Sequence, residues 1–253
     1  MMPSRLDENF ELAKAHIRSA AEKGADVIVL PETWSCGFFP RENLEQCCDD
    51  NGQRTKREIG GLAGELSVNI IAGSVANKKD GGIYNTAFVF DRKGNVVCEY
   101  DKTHLFSPMG EDKFFQKGKK ICNFTLDSKK CGIIICYDIR FPELTRTMAL
   151  GGLDMLFVVA QWPIERVEHL STLVRARAIE NQMFCVCCNS CGSFGETRFG
   201  GSSRIVDMWG TELAIADNTE QIITAECDFS KLPAIRENIN VFADRRADLY
   251  DVR

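Results

Sequence analysis

The sequence predicts an α/β protein in which mixed sheets carry helices on their outside, in layers. Three observations lead there. Short apolar runs alternate with helical segments, hairpin patterns fill the last third, and no repeat, linker or low-complexity block interrupts them. The competing doubly wound dinucleotide fold lacks its signatures, since no Gly-x-Gly-x-x-Gly follows an early strand and no Gly-x-x-x-x-Gly-Lys-Ser/Thr loop occurs. At 253 residues and 44% hydrophobic, the chain suits one large domain over residues 1–253.

The elements follow in order. Residues 6–23 read as a helix, because Phe10, Ala13, Ile17 and Ala20 recur at three-to-four spacing and Gly24 ends the run. Residues 27–30 form a short apolar strand stopped by Pro31. A second helix is predicted over 54–66 and a strand over 68–75. Strands over 84–90 and 96–102 bracket the turn Asp91-Arg92-Lys93-Gly94-Asn95. Ile133, Ile134 and Ile135 read as a buried strand, because β-branched side chains pack well on a pleated surface. Pro142 then suits the first turn of a helix over 142–150. A strand over 155–159, a helix over 166–181 and a strand over 183–188 come next. Hairpin strands are predicted over 203–207, 211–216 and 222–226, followed by a short helix over 228–237.

A net charge of −5 argues against a general nucleic-acid binder, and no apolar run is long enough to cross a membrane. Met1-Met2-Pro3-Ser4 has no apolar core and is not read as a signal peptide. Twelve cysteines are many for this length. Cys98, Cys122, Cys131, Cys185, Cys187 and Cys188 sit in or beside apolar segments, so they read as small hydrophobes in a reducing cytoplasm. Cys188-x-x-Cys191 is one metal-type pair, but no second pair faces it and the chain has three histidines, so no zinc site is expected.

Three predicted strand ends deliver reactive groups: Glu32, Lys102 and Cys136. At a strand-to-helix corner, backbone N–H groups favour the thiolate of Cys136. The carboxylate can take a thiol proton, and the ammonium can stabilise the oxyanion of a tetrahedral intermediate, without a metal. Each residue alone has an ordinary reading as a solvated acid, a solvated lysine or a packed cysteine. Together they point to acyl transfer.

These residues lie in Pro31-Glu32, Asp101-Lys102-Thr103-His104-Leu105-Phe106 and Cys136-Tyr137-Asp138-Ile139-Arg140-Phe141-Pro142-Glu143. With Arg175-Ala176-Arg177-Ala178-Ile179-Glu180-Asn181 and Asp244-Arg245-Arg246-Ala247-Asp248-Leu249-Tyr250, the chain resembles the nitrilase, or carbon–nitrogen hydrolase, superfamily over nearly its whole length. The resemblance implies a four-layer α-β-β-α sandwich of the nitrilase type, here apparently without the usual first strand. It implies Glu32 as base, Lys102 as oxyanion partner, Cys136 as nucleophile, Glu111 as a second glutamate near the lysine, and the Tyr137 backbone N–H in the oxyanion hole. It implies no cofactor or metal. It also implies a homodimer, formed through the helix beginning near Phe141, the helix containing Arg175 and Asn181, and a C-terminal segment with Leu249 and Tyr250.

The stretch Ala160-Gln161-Trp162-Pro163-Ile164-Glu165-Arg166, with His169, is similar to the omega-amidase branch. That branch acts on the side-chain amides of 2-oxoglutaramate and 2-oxosuccinamate. Such substrates carry a carboxylate, for which Arg is the natural bidentate partner, so Arg166 is the candidate reader. Its ordinary reading is a solvated charge at a helix start. Trp162 and Phe38 are candidate pocket walls, although Phe38 also suits plain packing. His16, His104 and His169 do not make a Cys-His protease. An amidase or nitrilase-type hydrolase on another small amide, a catalytically silent interaction protein with the same fold, and a redox or metal-storage protein built on the twelve cysteines remain the alternatives.

Overall fold

Ile133, Ile134 and Ile135 show how the layers are built. All three are fully buried, but their side chains alternate: Ile133 and Ile135 enter the core between two sheets, and Ile134 enters the core beneath the outer helices. A strand covered on both faces reads as a continuous apolar run. Burying each such side chain contributes about 1.5–3 kcal/mol.

The computed structural model describes residues 5–37 and 43–250. Its first half comprises α1 (Leu6–Glu22), β1 (Val27–Val29), β2 (Asp49–Asp50), α2 (Gln53–Thr55), α3 (Gly61–Leu66), β3 (Asn69–Lys79), β4 (Gly82–Phe90) and β5 (Val96–Asp101). The second half comprises β6 (Asn123–Leu126), β7 (Lys129–Ile135), α4 (Pro142–Leu150), β8 (Met155–Ala160), α5 (Val167–Asn181) and β9 (Phe184–Asn189). Then come β10 (Ser193–Phe194), β11 (Thr197–Arg198), β12 (Arg204–Val206), β13 (Glu212–Ile215) and α6 (Leu232–Asn238).

One sheet runs β1-β3-β4-β5, with β2 also on β3; the other runs β13-β12-β9-β8-β7-β6. β7, β8 and β9 are parallel at the centre of the second sheet. Phe10, Ala13 and Ile17 of α1 and Leu62 and Ala63 of α3 pack on the outer face of the first sheet. Leu144 and Met148 of α4 and Leu170, Val174 and Ala178 of α5 cover the second. The result is the four-layer α-β-β-α sandwich.

Several expectations are corrected. The helix over 54–66 contains a π-turn at Lys56–Gly60 that separates α2 from α3. Residues 222–226 form no strand; Ile222 packs into the α1 core and Cys227 against the core between the sheets, so the apolar residues anchor an irregular crossing segment. β6 was not foreseen. It joins β7 through Asp127 and Ser128, both at positive φ, the pattern of a tight primed hairpin turn. Cys98 and Cys122 are disulfide-bonded rather than free small hydrophobes. They join β5 to the segment before β6, at the edges of the two sheets, and across 24 residues the chain-entropy effect is about 3.5 kcal/mol.

Among the described residues β1 pairs with β3 on one side only. Beside it runs a cavity of about 1120 Å³ whose walls include Val27, Val29, Val186 and Ile205. This larger cavity lies apart from Cys136.

Candidate active site

The carboxyl ends of β1, β5, β7 and β8 converge at one place, with Lys102, Cys136 and Gln161 directly after their strands and Glu32 three residues after β1. Local packing fixes these exits. Glu32 N–H donates to the Ala160 carbonyl at 3.4 Å, linking one sheet to the other. Gly73 sits at φ 59° in a bulge of β3, and a Cβ there would lie 2.0 Å from the Pro31 carbonyl oxygen. Only glycine lets β3 approach the turn carrying Glu32 so closely. Gly118 has the same role beside Lys102: a Cβ would meet the Asp101 oxygen at 2.0 Å, and its N–H donates to the Lys102 carbonyl at 2.9 Å.

Four residues form a buried charged cluster. Lys102 Nζ donates to Glu32 Oε1 at 2.8 Å and to Glu111 Oε1 and Oε2 at 3.0 and 2.9 Å. Glu32, Lys102 and Glu111 are 5%, 2% and 2% exposed, so neither acid is a solvated loop residue. Asn85 Nδ2 donates to Glu32 Oε1 at 2.9 Å and to Glu111 Oε1 at 3.2 Å. Backbone amides complete the shell: Gln161 N–H on Glu32 Oε2 at 2.9 Å and Phe106 N–H on Glu111 Oε2 at 2.6 Å. Burial pulls the Lys102 ammonium down, but the charges of Glu32 and Glu111 outweigh it and hold its pKa well above the usual lysine value. Lys102 is therefore a fixed cation and not a base.

Cys136 opens a short 3-10 helix, Cys136–Arg140, and adopts φ 48°. A non-glycine residue in this region stores about 1–3 kcal/mol, strain typical of turns that project a reactive group. Tyr137 N–H lies in the first turn of that helix, where amides lack partners within the helix. The thiol departs from the sequence expectation. Burial first, and then the negative charge of Glu32, push Cys136 well above the ordinary thiol range, against the opposing pull of Lys102. Both influences favour a resting thiol over the thiolate that the corner alone would favour.

Asp138, fully buried, ties two of these exits together. Its Oδ2 accepts from Ile135 N–H at 3.0 Å and from the Tyr100 hydroxyl at 2.8 Å. Its Oδ1 accepts from Thr103 Oγ1 at 3.0 Å and His104 N–H at 2.9 Å, with His104 Nδ1 at 2.8 Å. The residues flanking Lys102 are thus bound to the turn that presents Cys136. His104 also stacks on Phe141 at 3.7 Å, a supporting role.

A narrow cleft of about 40 Å³ opens above Cys136, with Phe106, Tyr137, Arg140, Trp162, Arg166 and Phe199 among its walls. Trp162 Nε1 donates to the Arg166 carbonyl at 2.7 Å, which fixes the indole as a wall. The Arg166 guanidinium lies 5.5 Å from the Phe106 ring centroid and has no carboxylate partner among the described residues. Arg140 resembles it: the guanidinium covers the Trp162 ring at 4.7 Å and donates to His169 Nδ1 at 3.2 Å, again with no acid among the described residues. Phe38 lies outside the described residues. Sequence reasoning missed Asn85, Arg140, Gln161 and the tying role of Asp138. Arg140 and Asp138 were within reach, four and two residues beyond Cys136; a polar Asn85 in the buried run of β4 was a weaker signal.

Comparison with known proteins agrees with this fold. The carbon-nitrogen hydrolase family profile matches residues 2–237. A 2-oxoglutaramate amidase of Bacillus subtilis (strain 168) is 41% identical over 243 residues, 96% of this chain and 93% of its own. The omega-amidase NIT2 of Homo sapiens is 31% identical, over 97% of this chain and 92% of its own. The crystal structure of XC1258 from Xanthomonas campestris, a CN-hydrolase superfamily protein with an arsenic adduct in the active site, superposes with a TM-score of 0.87 at 26% identity. It covers 97% of this chain and 93% of its own. Saccharomyces cerevisiae Nit3, of the nitrilase superfamily, gives a TM-score of 0.89 at 25% identity, over 97% and 92% of the two chains. The chain belongs to the carbon–nitrogen hydrolase family, and its fold is that of the nitrilase superfamily.

Proposed function

We propose that the protein hydrolyses the side-chain amide of a short dicarboxylic monoamide, 2-oxoglutaramate or 2-oxosuccinamate, through a Cys136 thioester. The observation that carries this reading is the convergence of one thiol with a buried carboxylate–ammonium pair. Cys136 Sγ attacks the amide carbon while Glu32 takes the thiol proton. Lys102 and the Tyr137 N–H hold the oxyanion. The proton passes to the nitrogen, the C–N bond breaks and ammonia leaves. Glu32 then takes a proton from water, which attacks the thioester and regenerates the thiol. Glu111 holds Lys102 from the opposite side throughout.

The choice of amide rests on charge. Arg166, joined by Arg140, offers guanidinium groups without acidic partners among the described residues to the substrate's far carboxylate, and Trp162 lines the same cleft. Relatives named 2-oxoglutaramate amidase, at 41% and 35% identity, support the same choice. The test is ammonia release from 2-oxoglutaramate and from simple aliphatic amides. Cys136→Ala should abolish both, a loss of many orders of magnitude. Arg166→Met should weaken catalysis on 2-oxoglutaramate by about 2 kcal/mol or more, with far less effect on aliphatic amides. Equal losses on both substrates would show that Arg166 supports the fold instead.

We also infer a homodimer in a reducing cytoplasm. Ile179 on α5 and Leu249 and Tyr250 near the C-terminus are 47%, 69% and 46% exposed, apolar surface suited to a second copy. Ten free thiols against one disulfide suit a compartment that keeps most thiols reduced. A strictly monomeric species at micromolar concentration by light scattering would refute the dimer.

A further inference from the structure

We propose that Asn85 is a positioning residue for the reaction: its carboxamide bridges Glu32 and Glu111 and keeps Glu32 aimed at Cys136. The inference rests on Glu32 acting as the base, as set out above. Asn85 is held where side-chain freedom is small. It is 1% exposed, pairs with Ala76 across the β3–β4 ladder, and its carbonyl accepts the Lys102 N–H at 2.9 Å. The strand position that carries Asn85 is therefore bonded directly to the exit that carries Lys102.

The carboxamide orientation is set by the two acids. Its NH2 group has two donors, and one goes to each carboxylate. Its Oδ1 is buried and has no hydrogen-bond partner among the described residues. A flipped amide would turn that oxygen onto two carboxylate oxygens, so the site keeps an unpaired acceptor in order to keep both donors. Among the described residues, only Lys102 and Asn85 touch both acids.

Charge explains why such a bridge is needed. Two carboxylates and one ammonium leave a formal surplus of one negative charge in a buried site, where like charges repel. The Cys136 thiol, Tyr137, Arg140 and Arg166 line the same cleft. Asn85 adds a neutral donor to each acid and fixes the direction in which the remaining Glu32 lone pairs point.

The test uses Asn85→Leu and Asn85→Asp, with kcat and KM for ammonia release and with the rate of iodoacetamide alkylation of Cys136 read by mass spectrometry. In Asn85→Leu kcat should fall about 10- to 100-fold while KM changes little, and alkylation of Cys136 should slow with it, because Glu32 loses the hydrogen bond that aims it at the thiol. Asn85→Asp keeps the size and adds a third acid. Its loss should be larger at pH 8 than at pH 6, where its carboxyl regains a proton to donate. If wild type releases no ammonia from 2-oxoglutaramate but Asn85→Leu still slows alkylation, only the substrate assignment fails and the bridge stands. Alkylation and kcat unchanged from wild type in Asn85→Leu, with Asn85→Asp equally impaired at both pH values, would overturn the proposal. Should Asn85→Leu fail to fold, the pH dependence of Asn85→Asp decides alone.

Discussion

At the scale of the residue, Glu32 and Cys136 pull against each other in a way that can be measured. The same Glu32 charge that accepts the thiol proton also raises the thiol's pKa, and Lys102 acts in the opposite sense. Neutralising Glu32 removes the raising influence and leaves the lowering one. Glu32→Gln should therefore titrate its Cys136 thiol at a lower pH than wild type, followed by thiolate absorbance with the other cysteines as a constant background. The same substitution should cost about 10²–10⁴ in turnover, because the base is gone. A variant with a more easily ionised thiol and less activity separates proton transfer from thiolate supply. If the thiol titration stays in place or moves up while activity falls, Glu32 acts through the shape of the site and not through its charge.

At the scale of the element, what was legible in the sequence follows how locally each feature is determined. β7, β8 and α1 were legible because their apolar residues are contiguous or helically spaced. The segment over 222–226 carries apolar residues too, but Ile222 and the adjacent Cys227 serve two different cores, and sequence alone does not reveal which partner an apolar side chain meets. β6 is four residues long, too short for periodicity to register, although Asp127-Ser128 is a fair turn signal. The disulfide depends on two sheet edges meeting, a purely tertiary fact. The candidate site divides likewise. Glu32, Lys102, Cys136 and Glu111 stand in short recognisable motifs. Asn85 and Gln161 act through the neighbours that the fold brings to them. Asp138 is the instructive case: it stands in the same short motif as Cys136, yet its hydrogen bonds to Tyr100, Thr103, His104 and Ile135 bind the β5 exit to the β7 exit. The corner itself misled on ionisation, since the nearby acid and burial outweigh the local amides at Cys136.

At the scale of the whole molecule, the cysteines make stability depend on alkaline pH. Burial pushes Cys36, Cys131, Cys185 and Cys188 up to about 12, and Cys227 to about 11, from an ordinary value of 9.0. Below pH 9 these thiols are protonated both folded and unfolded, so they contribute no pH dependence. Above it the unfolded chain releases protons that the folded protein retains. The unfolded state then binds fewer protons, and stability falls as pH rises, with a slope that continues until the folded thiols ionise near pH 11–12. Lys102, held high by Glu32 and Glu111, works in the same sense. Each fully shifted thiol adds a slope of up to about 1.4 kcal/mol per pH unit. Several together are a large share of the roughly 5–15 kcal/mol that holds a domain folded. Urea melts at pH 7.5, 8.5, 9.5 and 10.5, run under argon and checked by return to pH 7.5, should show a nearly constant midpoint at first and a steep decline above about pH 9. Cys185→Ala removes one such thiol from the core beneath α5 and should shallow the decline while lowering the plateau. A midpoint that holds steady to pH 10.5 would mean that these thiols ionise in the folded protein as readily as in the open chain, and that the packing around them is looser than their burial indicates.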